Sequence, residues 1–126
     1  MKSFNRYSKY KAIRVSHAGY SFASKLEAEL FDLLKLMEKA GEVSNIKVQQ
    51  TVYLSRARIR YIADFSAWDN KLNEMVYFEA KGFETPEWRL KLNLYKNYGP
   101  CKLRIYRGKR HLIEEITPSY HEVSDA

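Results

Sequence analysis

Tyr61-Ile62-Ala63-Asp64-Phe65 and Val76-Tyr77-Phe78-Glu79-Ala80-Lys81-Gly82 are the two stretches on which the fold turns. Both are short apolar runs rich in aromatic and branched residues, as buried strands are, and a polar turn at Asp69-Asn70-Lys71 joins them into a hairpin. Working outward, the first stretch belongs to a strand over Ile59–Trp68 and the second to one over Met75–Lys81. A further strand, Ile46–Leu54, precedes them. Upstream, Leu26, Leu30, Leu33, Leu34 and Met37 recur at helical spacing. Ser24 is a suitable N-cap, Glu27 stands at the capping-box position, and Gly41 stops the helix. Before it, residues 11–23 read as a small hairpin turning near His17–Gly19. Downstream, Thr85 and Pro86 open a second helix carrying Trp88, Leu92 and Tyr95 on one side, and Gly99-Pro100 closes it. A last strand, Lys102–Tyr106, follows, and the tail over 117–126 is polar and frayed. The order hairpin, helix, three strands, helix, strand predicts an α/β fold, a mixed sheet flanked by helices.

The chain has 126 residues, 45% hydrophobic and 14% aromatic, which is one domain's worth of sequence with enough apolar surface for a core. A disordered tail, a collagen-like repeat and a disulfide scaffold are excluded. The single cysteine, Cys101, makes no internal disulfide. The N-terminus has charge but no apolar core of a secretory signal, and no apolar run is long enough for a membrane span. These features predict a soluble, cytoplasmic protein without a membrane partner.

Lysine and arginine number 22 against 15 acids, a net charge of +7. The excess is concentrated. Residues 1–25 carry Lys2, Arg6, Lys9, Lys11, Arg14 and Lys25 with no acid, and residues 101–111 carry Lys102, Arg104, Arg107, Lys109 and Arg110. Interleaved with Tyr7, Tyr10, Tyr20 and Tyr106, these tracts suit phosphate contact with stacking on bases or sugars, so the expected partner is DNA. A solvated basic surface is the alternative.

The hairpin carries the chemistry. Alternation along a strand puts Glu79 and Lys81 on one face. The turn brings Asp64 opposite, with carboxyls ~5–8 Å apart. Carboxylates so placed repel unless a cation lies between them, and Mg²⁺ suits oxygen ligands of this kind. Lys81 beside it would orient a water or face a phosphate oxygen, the parts phosphodiester hydrolysis needs. The alternative is a pair of strand-end charges facing water or arginines. A decoy, Asp69-Asn70-Lys71, lies in a turn where nothing is expected to fix the side chains. Arg56, Arg58 and Arg60, two apart, are expected on one strand face, as a basic track leading to Asp64 or as charges guarding a sheet edge. Trp88 is expected in the core, with Arg89 and Lys91 around it available to phosphates. His17, His111 and His121 have no zinc-like spacing, and no phosphate-binding glycine loop exists, so no nucleotide cofactor is expected.

Ile62-Ala63-Asp64-Phe65 followed by Phe78-Glu79-Ala80-Lys81-Gly82, with Ser24-Lys25-Leu26-Glu27-Ala28 ahead, resembles the PD-(D/E)XK nuclease superfamily. The arrangement is similar to phage-type Holliday-junction-resolving endonuclease I and to transposon end-cutting nucleases. Over about residues 10–107 it is closer still to small phage and prophage proteins of unknown function. The resemblance implies a restriction-endonuclease-like αβββαβ core and metal-dependent DNA cleavage with Mg²⁺, for which Mn²⁺ substitutes. It implies Glu27, Asp64 and Glu79 as metal ligands, the Ala80 backbone carbonyl as another, and Lys81 as the catalytic lysine. Gln49 falls where those phage proteins carry a strand glutamine, and Ala63 replaces the usual proline before the aspartate. Glu27 therefore has two readings, a metal ligand or only the capping-box acid. A phage- or prophage-encoded resolvase in a bacterial host, acting on branched DNA, is the reading that follows. A nickase or end-processing nuclease on linear DNA, or a non-catalytic DNA-binding module, stand as alternatives. One site per chain and two cuts per junction imply a homodimer. Phe4, Tyr7 and Tyr10 would then belong to its interface, or else to a basic arm over residues 1–10.

Overall fold

The protein's structure is a computed structural model that describes residues 15–54, 58–108 and 114–119. Lys11, Arg14, Arg56, Lys109, Arg110, His111, His121, the arm over residues 1–10 and the tail from residue 120 lie outside the described residues. A two-stranded hairpin, β1 (Val15–His17) and β2 (Tyr20–Phe22), leads into α1 (Lys25–Lys39). The strands β3 (Val43–Tyr53), β4 (Arg60–Asp69) and β5 (Glu74–Ala80) follow, then α2 (Pro86–Tyr98), β6 (Lys102–Tyr106) and β7 (Glu114–Ile116). The large sheet has five strands in chain order, β3-β4-β5-β6-β7. Its one parallel pair is β5–β6, with α2 as the crossover between them, and the other pairs are antiparallel. This is the expected α/β architecture, a mixed sheet flanked by helices, and α1 through β6 run in the order αβββαβ.

Local chemistry explains the elements. The first hairpin turns at Ala18 and Gly19, with φ of 53° and 85°, the left-handed pair a two-residue turn needs. Ser24 caps α1, its side chain accepting the Glu27 N–H. The helix ends on a Schellman motif: Glu42 N–H bonds Met37 O at 2.9 Å and Gly41 N–H bonds Glu38 O at 3.0 Å, with Gly41 at φ 82°. Thr85 caps α2 and Pro86 stands in its first turn.

Two cores lie against the sheet. Leu30, Phe31 and Leu34 of α1 pack with Phe22, Phe65, Val76 and Phe78. Trp88 and Tyr95 of α2 pack with Tyr61, Ala63, Leu103, Ile105 and Ile116. Neighbouring residues Ile105 and Tyr106 go to different cores, so the cores occupy opposite faces. Phe31, outside the leucine stripe, is as central as the leucines, its ring 5.2 Å from Phe22 and 5.8 Å from Phe65.

The structure departs from the sequence reading at the edges. β3 begins at Val43, because a bulge between Ser44 and Lys47, with Asn45 at φ 56°, interrupts the alternation that marks a strand in sequence. β7 was not expected. It pairs Ile116 with Leu103, and beyond it Pro118 is buried and Ser119 N–H bonds Lys96 O at 3.1 Å. The start of the tail is therefore tied down rather than frayed. No described helix is long and apolar enough to cross a membrane.

Candidate active site

Two strands part company at the acids. The β4–β5 ladder runs from Asp69↔Glu74 to Phe65↔Phe78 and stops. β5 continues on β6 as far as Ala80↔Tyr106, and β4 continues on β3 down to Arg60. Asp64 and Glu79 are the next residues on each side of the opening. Ala80 N–H, left without a ladder partner on β4, donates to Asp64 Oδ2 at 2.8 Å, while Lys81 N–H turns away to Tyr106 O. The strand opposite is irregular at the same level. Val48↔Phe65 and Gln50↔Ala63 are paired but Gln49 and Asp64 are not, and Gln49 has φ 57°. Tyr61 and Ala63 belong to the α2 core, Phe65 and Ala67 to the α1 core. β4 thus changes sides at Asp64, which places this carboxyl between the two layers.

Glu79, only 4% exposed, divides its oxygens. Oε1 accepts from the Tyr61 hydroxyl at 2.5 Å and Oε2 faces Lys81 Nζ at 3.3 Å. The Lys81 ammonium also lies 5.2 Å from the centre of the Trp88 ring. Trp88 is held in turn by α2's first turn, its N–H on Thr85 Oγ1 at 3.1 Å. From α1, Glu27 reaches the same place. Its N–H bonds Ser24 Oγ at 3.0 Å, its Oε1 accepts Ala23 N–H at 2.6 Å, and its carboxyl shares a cleft with that of Asp64. The reciprocal arm of the cap goes to Ala23 rather than to Ser24. Both readings of Glu27 therefore meet in one side chain, which caps the helix and sits with the acids.

These carboxyls crowd one another. Burial pushes Asp64 up to about 9, helped by the Glu79 charge and by Glu27, against the pull of the Ala80 N–H. Burial also raises Glu79, and the Glu27 charge adds to it, against the Lys81 ammonium and the Tyr61 hydrogen bond. Burial and the Glu79 charge drive the Tyr61 phenol far up, so it stays a donor. Three buried or half-buried carboxyls gather beside one ammonium, which pairs with Glu79, so the site is short of positive charge. Oxygen donors with that deficit are the chemistry of a hard divalent cation. Among the described residues, no three His, Cys, Asp or Glu side chains converge as a ready-made metal cage. The fit to a cation thus lies in donor type and charge rather than in a preformed coordination shell.

The chain belongs to the DUF1064 family. The family model, described as a protein of unknown function, matches residues 7–112. No curated protein and no solved structure matches the chain. The DUF1064 match spans α1 through β6, so Glu27, Asp64, Glu79 and Lys81 all fall inside it, and β7 begins just beyond its end.

The cationic residues of this DUF1064 chain divide sharply. A cleft of about 470 Å³ opens beside the acids, lined by Arg60, Lys81 and Lys91 together with Gln49, Asp64 and Glu79. Lys91 also pairs with Glu87 at 3.5 Å. Arg60 does open toward Asp64, but the expected track through Arg58 does not form. Arg58 lies outside β4 with φ 62°, and its guanidinium stacks on Tyr53 at 4.5 Å, because the loop breaks the two-residue period. Arg89 pairs with Glu84 at 3.3 Å on the exposed side of α2, and Lys25 is exposed at the start of α1. Two described arginines of the basic tract after residue 100 are neutralised. Arg104 binds Asp69 at 3.0 Å and Glu115 at 2.9 Å, and Arg107 binds Glu84 at 2.6 Å and Glu114 at 3.0 Å. Tyr106 is buried, so it offers no stacking face.

Asp69 is also far from loose. It is 7% exposed and accepts the Lys71 and Leu72 N–H groups. Burial would raise it, but those bonds and Arg104 hold it below the usual carboxylate range. It is a turn anchor. His17 bonds Asp32 at 2.7 Å. Sequence reasoning did not single out Tyr61 as a partner of Glu79. Tyr61 lies an odd number of positions from Asp64, so a regular strand would send it to the other face. Only the irregularity opposite Gln49 gives them a common site.

Proposed function

We propose that this protein is a divalent-metal-dependent DNA endonuclease that hydrolyses phosphodiester bonds. The observation that carries the reading is the meeting of Asp64, Glu79 and Lys81 where β4 and β5 separate, at the wall of a cleft that also holds Arg60 and Lys91, with Glu27 beside Asp64 in the adjoining cleft. Such a set is poor for stability, since buried like charges repel, and perturbed acids in a cleft mark functional sites. Glu27, Asp64, Glu79 and the Ala80 carbonyl would hold Mg²⁺ or Mn²⁺. The ion would supply charge neutralisation at the phosphoryl oxygen and a more acidic water. Lys81, steadied by Glu79 and Trp88, faces developing negative charge or orients the attacking water. Tyr61 holds Glu79 in place. Arg60 and Lys91 accept the backbone phosphates that lead into the cleft. Branched DNA is the proposed substrate, cut by a homodimer in the cytoplasm of a bacterial host.

A cleavage panel tests this. Four-way junction, fork, duplex and single strand are incubated with Mg²⁺, Mn²⁺ or EDTA. Cutting is expected with the metals alone and is lost in Glu79→Ala and Lys81→Ala while DNA binding persists. Cleavage by Glu79→Ala at the parent rate would refute the site. DNA binding with no cleavage under any metal would leave a binding module.

A further inference from the structure

The cleft beside Lys81 does not end at the acids. It shares Gln49 and Asp64 with a smaller cleft of about 270 Å³, which contains Tyr20, Phe22 and Val48 and no cationic side chain. That cleft shares Tyr20 and Val48 with a third, of about 410 Å³, where Lys47 is found together with Lys35, itself paired to Glu38 at 3.0 Å. The run is therefore cationic beside the acids, then acidic and aromatic together, then mixed in charge with Lys47 exposed at its far end.

Tyr20 and Val48 are 47% and 38% exposed, large apolar groups left open in a polar surface. The Tyr20 ring is not loose. It rests 5.1 Å from Phe31 and 5.9 Å from Phe22, both buried, at the end of a two-residue turn. A rigid, half-exposed aromatic ring beside a phosphate-seeking groove is a stacking platform. The protein's own charged groups in the middle cleft are Glu27 and Asp64, so apart from a phosphate reached through the proposed metal it does not attract one. It can hold a flat, uncharged group, and its volume falls below the ~300–1,000 Å³ typical of small-molecule pockets, room for little more than one ring system.

Resting on the nuclease reading, we infer that Tyr20 stacks one unpaired nucleobase of the strand being cut, next to the scissile phosphate, with Val48 closing its other side. Phosphates on the two flanks of that nucleotide meet Arg60 and Lys91 at one end and Lys47 at the other. A base inside a duplex is already stacked on both faces and cannot serve without being flipped, which costs least where the strand is already unpaired. The platform thus selects DNA with a single-stranded step at the cut, such as a branch point or a tail, over blunt duplex.

Fluorescence anisotropy in EDTA measures this without cleavage, using a tailed duplex, a single strand and a blunt duplex. Tyr20→Ala should weaken the tailed and single-stranded DNA about 5- to 150-fold, the worth of one stacked base, and leave the blunt duplex unchanged. Tyr20→Phe should bind like the parent. Should Tyr20→Ala unfold, Tyr20→Leu keeps the contact with Phe31 and still lacks a stacking face. A 2-aminopurine at the unpaired position should be quenched by the parent and not by Tyr20→Ala. Equal losses on all three DNAs, or none, overturn the inference while leaving the nuclease reading intact. If the parent binds none of the DNAs, the nuclease reading itself fails.

Discussion

Replacing Asp64 with asparagine separates what this carboxyl does for folding from what it does for a cation. In the folded chain Asp64 is pushed up to about 9 from an ordinary 3.8. Between those values the unfolded chain has released the proton and the folded chain keeps it. The folded state then binds more protons, so stability falls as pH rises through the window, by up to about 1.4 kcal/mol per pH unit for one proton. The amide has no proton to lose. Its oxygen can still accept the Ala80 N–H, and its nitrogen can donate to Glu27. From pH 5 to pH 7 the parent should therefore lose up to about 3 kcal/mol relative to Asp64→Asn. In a domain of this size that is on the order of 10 °C in Tm. Urea or thermal melts in EDTA at pH 5, 6, 7 and 8 read the difference directly. Mg²⁺ should reverse it, stabilising the parent by about 2.7 kcal/mol at 100-fold excess over Kd and Asp64→Asn by little. Parallel pH profiles for the two proteins would refute the reasoning, since they would mean that Asp64 titrates as an ordinary carboxylate.

Tyr61→Phe removes the hydroxyl that holds Glu79 Oε1 and should lower Mn²⁺ affinity, measured by calorimetry, about 10- to 100-fold, with the ring still packed on Tyr95. Glu27→Gln keeps an oxygen for Ala23 N–H, so its melting temperature should stay near the parent's while cleavage drops steeply; full cleavage would leave Glu27 a helix cap alone. Gly99→Ala tests the packing behind the site: the added Cβ would press on the Tyr95 ring, which is fixed by its bond to Cys101 O, and should destabilise by about 1–3 kcal/mol in urea melts.

Much of the fold was legible because its signals are local. Ser24, Thr85 and Pro86 announce helix starts within one turn, Ala18-Gly19 closes a hairpin, and the leucine stripe of α1 finds its core face. The strand edges were less legible. The bulge after Ser44 hides the start of β3, and β7 is three residues whose only apolar member is Ile116. In the site, Asp64, Glu79 and Lys81 could be named from residue type and spacing, whereas Glu27 came from the resemblance alone and spacing marked it only as a helix-capping acid. Their surroundings could not. Arg104 and Arg107 count as free charge in a composition, and only the approach of β7 and the loop before α2 supplies Glu114, Glu115 and Glu84 to neutralise them.

By itself, the sequence determined most of the element types and the helix boundaries, and offered Asp64, Glu79 and Lys81 as candidates, since periodicity, capping and strand alternation act over a few residues. The tertiary structure alone decided that β4 and β5 part at Phe65↔Phe78, that Gln49 turns left-handed opposite Asp64, and that Tyr61 meets Glu79. It also decided how far burial drives Asp64 from its ordinary range. Desolvation and strand divergence depend on groups brought together from α1, β3, β4, β5 and α2, and no short window of sequence contains them.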